Sequence, residues 1–160
     1  MRIGRISRYR GVAVTLIAAA AVASFPGTAA AQPLTSINSR SGWQRSSATL
    51  TNGQDYTVNT TSKGPDGRAG TWTVDFRRWP AIGPNGYDAA TDRRIRGGCK
   101  YDFNLPYGRL LGRIGVNGPV FSIGAGGKFR ATTNGILYLR INDRNRCLAD
   151  NRGYIQVRVS

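Results

Sequence analysis

Histidine and glutamate are both absent from this chain. Without histidine there is no side chain whose ordinary pKa suits general acid–base work near neutrality, and the commonest transition-metal ligand is missing. All eight acids are aspartates. Most catalytic and transition-metal chemistry is thereby excluded. Beyond the first thirty-one residues the chain also lacks a helical apolar period, internal repeats and low-complexity tracts. Cysteine is limited to Cys99 and Cys147. A nucleophilic thiol would have no histidine base to activate it, so the simpler reading of the pair is a disulfide. Such a bridge closes a loop of about fifty residues and would stabilise the fold by roughly 4 kcal/mol.

An oxidising destination is written into the N-terminus. Met1 to Arg10 carries four arginines and no acid, Gly11 to Ser24 is apolar, and Ala29-Ala30-Ala31 precedes Gln32. A basic start, a short apolar stretch and a small-residue cleavage site describe a secretory signal peptide over residues 1–31. The apolar stretch is short of the roughly twenty residues a membrane-spanning helix needs. The arginines are not adjacent, which disfavours the twin-arginine route. Residues 32–160 are then expected to form one domain, without a membrane span, exported through the Sec route to the periplasm or beyond the cell.

Removing those four arginines leaves 19 basic residues against eight acids, a net charge of about +11. A charge of that size attracts anionic surfaces. The arginines are scattered singly or in pairs, however, without the basic run and interleaved aromatics of a single-strand nucleic-acid binder. Nucleic acid is a poor candidate partner, and anionic cell-envelope polysaccharide is at least as good.

Short alternating runs take the place of helices: Asp55–Thr60, Thr71–Phe76, Arg109–Val116, Val120–Ile123, Gly135–Ile141 and Gly153–Val159. Each is rich in β-branched or aromatic residues and bounded by Gly, Pro, Asn or Asp. In the last run Ile155, Val157 and Val159 share one face and Tyr154, Gln156 and Arg158 the other, which predicts one buried and one wet face. The pattern predicts an all-β antiparallel sandwich of the jelly-roll kind. Trp43 and Trp72 fall in strand-like patterns and read as core. The stretch from Trp79 to Tyr107 has little alternation and reads as a long loop, either shaping a binding face or merely flexible. Trp79 opens it and is placed to line that face.

Chemistry concentrates near the C-terminus, where Asp143, Asp150 and Asn151 fall within nine positions between two strand-like runs. Calcium takes six to eight oxygen ligands from carboxylates, carbonyls, amides and water. The same residue types also populate ordinary turns, where their side chains bond nearby backbone. Spacing alone leaves both readings open, and the EF-hand spacing is absent.

Taken in order, Trp72–Asp75, Gly83–Gly86, Gly108–Gly115, Phe121–Gly124, Asn134–Asp143 and Asp150–Gly153 resemble the bacterial galactophilic lectins of the PA-I type, jelly rolls of the galactose-binding-like group. The resemblance runs from about Trp43 to Val159. It implies a calcium ion held by the side chains of Asp143, Asp150 and Asn151 and by backbone carbonyls of Cys147 and of Asp75 or Phe76. It also implies that two adjacent sugar hydroxyls join the calcium while Asp75, Asp143 and Asp150 contribute to the sugar site. The family's sugar-selecting histidine and glutamine have no counterparts in the loop Tyr87–Arg96, where Asp88 or Asp92 are the available stand-ins.

The expectation is therefore a secreted, non-catalytic, calcium-dependent galactoside-type lectin, with a homo-oligomer compatible with the sequence. A cationic structural jelly roll of the envelope, binding calcium or anionic glycans without galactose specificity, is the alternative. A two-aspartate glycosidase is the third reading. It needs carboxylates about 5 to 9.5 Å apart, and a calcium between them would keep both ionised.

Overall fold

The computed structural model describes residues 33–61, 67 and 70–160, so the expected signal peptide lies outside the described residues. Two antiparallel sheets face each other. The first is built from β1 (Thr35–Asn38), β3 (Asp55–Asn59), β7 (Gly126–Arg130) and β9 (Arg152–Val159), in the order β1-β9-β3-β7. A short β4 (Trp72–Thr73) also pairs with β9. The second sheet takes β2 (Gln44–Leu50), β5 (Leu110–Ile114), β6 (Phe121–Ser122) and β8 (Gly135–Ile141), in the order β2-β8-β5-β6. The expected antiparallel sandwich is what the chain forms.

The core between the sheets follows from period-two alternation. Leu137, Leu139 and Ile141 of β8 point inward together with Leu110 and Ile114 of β5, against Ile155, Val157 and Val159 of β9. Trp72 is fully buried among them, as expected, and its indole N–H donates to the Gly108 carbonyl at 2.7 Å. Trp43 is different. It lies outside the core cluster, half-buried against the guanidinium groups of Arg113 and Arg140. The amphipathic indole is used there as a lid over charge rather than as filling. Gln156, expected on a wet face, is buried.

Expected strand limits hold within a residue or two, with one instructive exception. Thr71–Phe76 pairs only over Trp72–Thr73, because Asp75 turns the chain away. The Asp75 carboxylate accepts the Arg77 N–H at 3.0 Å, and its carbonyl accepts from Arg78 and Trp79. This is the aspartate-centred turn that competes with strand pairing. Strands β1, β2 and β7 carry weaker signals. The buried positions of β2 are filled partly by Ser46 and Ala48, and β7 begins with two glycines.

Close backbone approach fixes β4 against β9. A Cβ at Gly70 would sit 2.2 Å from the Tyr154 carbonyl oxygen, and one at Gly153 (φ +96°) 2.2 Å from that of Thr71. Only glycine fits both places, and the contact carries the Asp75 turn to the start of β9.

Candidate functional site

Three segments converge at one end of the sandwich. Where β8 ends, the chain continues through Asn142 and Asp143 into a 3₁₀ turn over Asn145–Asp150, and Asn151 leads straight into β9. The Asp75 turn lies alongside, tied by the Phe76 N–H donating to the Asp150 carbonyl at 3.0 Å. The third wall comes from the long loop, which contains a six-residue helix α1 (Ala89–Arg94) followed by Ile95–Cys99. Between them is a pocket of about 290 Å³, with Asp75, Asp143, Cys147 and Asp150 in its wall and Trp79 at its side.

The long loop is held in place by two devices. Cys99 and Cys147 form the expected disulfide, with their Cα atoms 6.1 Å apart. The second device is Asn142, which is fully buried. Its Oδ1 accepts the Asp102 N–H, and its Nδ2 donates to the carbonyls of Asp102, Leu105 and Pro106 at 2.9–3.0 Å. Replacing Asn142 with alanine strands the partly buried Asp102 N–H and several carbonyls, at a cost of about 2 kcal/mol. The expected result is a lower melting temperature with faster amide exchange over residues 99–107. Unchanged exchange there would remove Asn142 from this role.

The oxygen cluster itself is unusually deep. Asp143 and Asn151 are each 1 % exposed. Asn151 donates its Nδ2 to Asp143 Oδ2 at 3.0 Å and to the Ser39 carbonyl at 3.0 Å. That leaves Asp143 Oδ1 and Asn151 Oδ1 buried without any hydrogen-bond donor. Buried acceptors are normally satisfied, and leaving two unsatisfied costs free energy. Burial pushes the Asp143 carboxyl up to about 7; the Asn151 amide and the Arg144 N–H pull it down, nearby Asp150 raises it further, and Arg140 opposes that rise. Asp150 is exposed at the mouth. Two orphaned hard oxygens with the Asp150 carboxylate nearby are donors of the type a hard cation takes, and supply part of the six to eight oxygens calcium uses.

The cysteine sulfurs and the Asp143 carboxylate lie within 4.8 Å of one another. With the sulfurs joined to each other, the available donors at this spot are oxygens.

The other expected residues divide between the pocket and its surroundings. Asp75 lines the pocket, but its carbonyl already accepts two backbone N–H groups. Asp88 caps α1, accepting the Thr91 N–H at 2.8 Å and the Thr91 hydroxyl, and these bonds hold its carboxyl below its usual value. Asp92 pairs with Lys100 and accepts the Tyr107 N–H at 2.7 Å. Neither Asp88 nor Asp92 reaches the pocket.

Arg140 escaped sequence reasoning altogether. Alternation in β8 turns it away from the core, yet it is fully buried. Its guanidinium lies 4.1 Å from the Tyr101 ring centre and 5.4 Å from that of Trp43. Desolvation lowers its pKa to about 10. Its Nε donates to the Ile141 carbonyl at 3.1 Å and its Nη2 to the Asp143 carbonyl, so it fixes the backbone that presents Asp143. The available signal was its position three residues before Asp143, with aromatics at 43 and 101 to cover it.

No protein-family model matches the chain, and no curated protein matches it. Among solved structures it is similar to a chain described as "EclA N-terminal domain; PllA-like lectin", with a TM-score of 0.56 and 17 % identity, covering 81 % of this chain and 95 % of that one. At that identity the likeness concerns the architecture. The chain has the antiparallel β-sandwich fold of a lectin domain.

Proposed function

We propose that this protein is a secreted, non-catalytic carbohydrate-binding protein whose sugar site is organised by calcium, as in galactophilic lectins. The observation that carries the reading is the pair of buried, unsatisfied oxygens, Asp143 Oδ1 in the wall of the pocket that Asp150 also lines, and Asn151 Oδ1 on the residue hydrogen-bonded to Asp143 behind that wall. The side chains of Asp143, Asp150 and Asn151 and the carbonyl of Cys147, in the 3₁₀ turn, would hold the cation. When bound, calcium supplies coordination positions for sugar hydroxyls. Asp150, being exposed, is placed to accept a hydrogen bond from a hydroxyl, and the charge strengthens that bond. Asp143 lines the pocket yet is only 1 % exposed, and the chain has no histidine or glutamate to serve as a second catalytic group, which supports binding over hydrolysis.

Export is supported by the disulfide, which persists in oxidising compartments. Among the described residues no helix is long and apolar enough to cross a membrane.

The test is calorimetric titration with calcium, then with methyl galactoside in calcium or in chelator. Sugar heat only in calcium is expected. Calcium uptake with no response to galactoside or to a glycan array would favour the structural envelope protein instead. Absence of calcium binding would overturn the reading.

A further inference from the structure

We infer that the sugar this pocket takes is an acidic one, a hexose whose carboxylate faces Arg78, Arg94 and Arg96 while its hydroxyls face the cation; this rests on the calcium-lectin reading above. The three arginines line the same pocket as Asp75, Asp143 and Asp150. They come from two different walls, Arg78 from the Asp75 turn and the others from the end of α1 and the residues after it.

Only Arg78 has a carboxylate partner, Asp75 at 3.5 Å. Among the described residues neither Arg94 nor Arg96 forms an ion pair. Arg94 instead lies over the Trp79 ring, 5.6 Å from its centre. A flat ring under a guanidinium restrains the side chain while leaving its N–H edge open to a ligand.

Charge decides the class of ligand. Three aspartates and three arginines in the pocket wall balance formally. A divalent cation among the carboxylates leaves an excess of positive charge, set against the exposed, unpaired edges of Arg94 and Arg96. A neutral sugar leaves that excess untouched. A uronic acid neutralises part of it and offers the planar, two-oxygen acceptor that a guanidinium matches.

The experiment compares methyl galactoside with methyl galacturonoside, in calcium and in chelator, by calorimetry or ligand-observed NMR. The uronate is expected to bind about tenfold more tightly in calcium, the worth of one charge-assisted contact. Raising salt from about 0.05 to about 0.5 M should shrink that ratio, since exposed charges are screened. In the double variant Arg94→Gln/Arg96→Gln the ratio should fall towards one. Equal affinity for the two sugars in calcium would overturn the acidic-sugar assignment while leaving the lectin reading intact. Uronate binding that persists unchanged in chelator would also overturn it, because the hydroxyl anchor would be idle. If neither sugar binds in calcium, the lectin reading itself fails.

Discussion

Asp143→Asn is expected to abolish calcium-dependent sugar binding, yet in chelator to leave the protein as stable as the parent or more so. Burial explains both halves. The carboxylate is 1 % exposed, one of its oxygens has no donor, and its charged form is disfavoured enough to raise the carboxyl to about 7. In the metal-free protein it is therefore a liability, and a neutral amide of the same shape removes the charge penalty. With calcium at about a hundred times its dissociation constant, the parent should gain about 2.7 kcal/mol by mass action. The variant should lose most of that gain.

The pH dependence has a definite sign. With its folded pKa raised from 3.8 to about 7, Asp143 holds its proton more tightly in the folded state than in the unfolded one. Its favourable contribution is complete below about pH 4 and is lost as the pH rises through 7. Melting in chelator across that window should show the decline in the parent and not in Asp143→Asn. An equal drop in melting temperature with and without calcium would mean that Asp143 is a structural residue, and would sink the site.

Loss of the disulfide is the second large effect. Its sequence separation is 48 residues, and in the chain-entropy model a loop of that size contributes about 4 kcal/mol. Cys99→Ser/Cys147→Ser should melt far below the parent. Calcium affinity should also fall, because the bridge ties the α1 wall of the pocket to the 3₁₀ turn between Asp143 and Asn151. The Arg144 N–H, donating to the Cys99 carbonyl at 2.6 Å, lies on the same seam. Titration at a temperature where the variant stays folded separates the two effects. Unchanged calcium affinity would confine the bridge to a stabilising role.

How much of this was legible in the sequence depended on where the signal lay. β8 and β9 were readable because Leu, Ile and Val alternate with polar residues in both. β2 was not, because serine and alanine occupy its inward positions and mimic a loop. The oxygen cluster around Asp143 was legible because its members are close in the chain. Asp88 and Asp92 were stand-ins suggested by the family resemblance, but local bonding engages both, one as a helix cap and the other with Lys100 and the Tyr107 amide. The roles of Arg140 and Trp43 depend on Tyr101 crossing over from a distant loop. Nothing in the local pattern announces that contact.

The Cys99–Cys147 bridge has one further chemical consequence. Its sulfurs lie within 4.8 Å of the Asp143 carboxylate, and as a disulfide neither of them is a thiolate. Reduced, the same three side chains would offer two soft anionic donors and one carboxylate, a set suited to zinc with a coordination position to spare. Oxidation therefore does more than fasten the wall of the pocket. It withdraws the two soft donors a thiophilic metal would use, and leaves oxygen as the donor type at that spot.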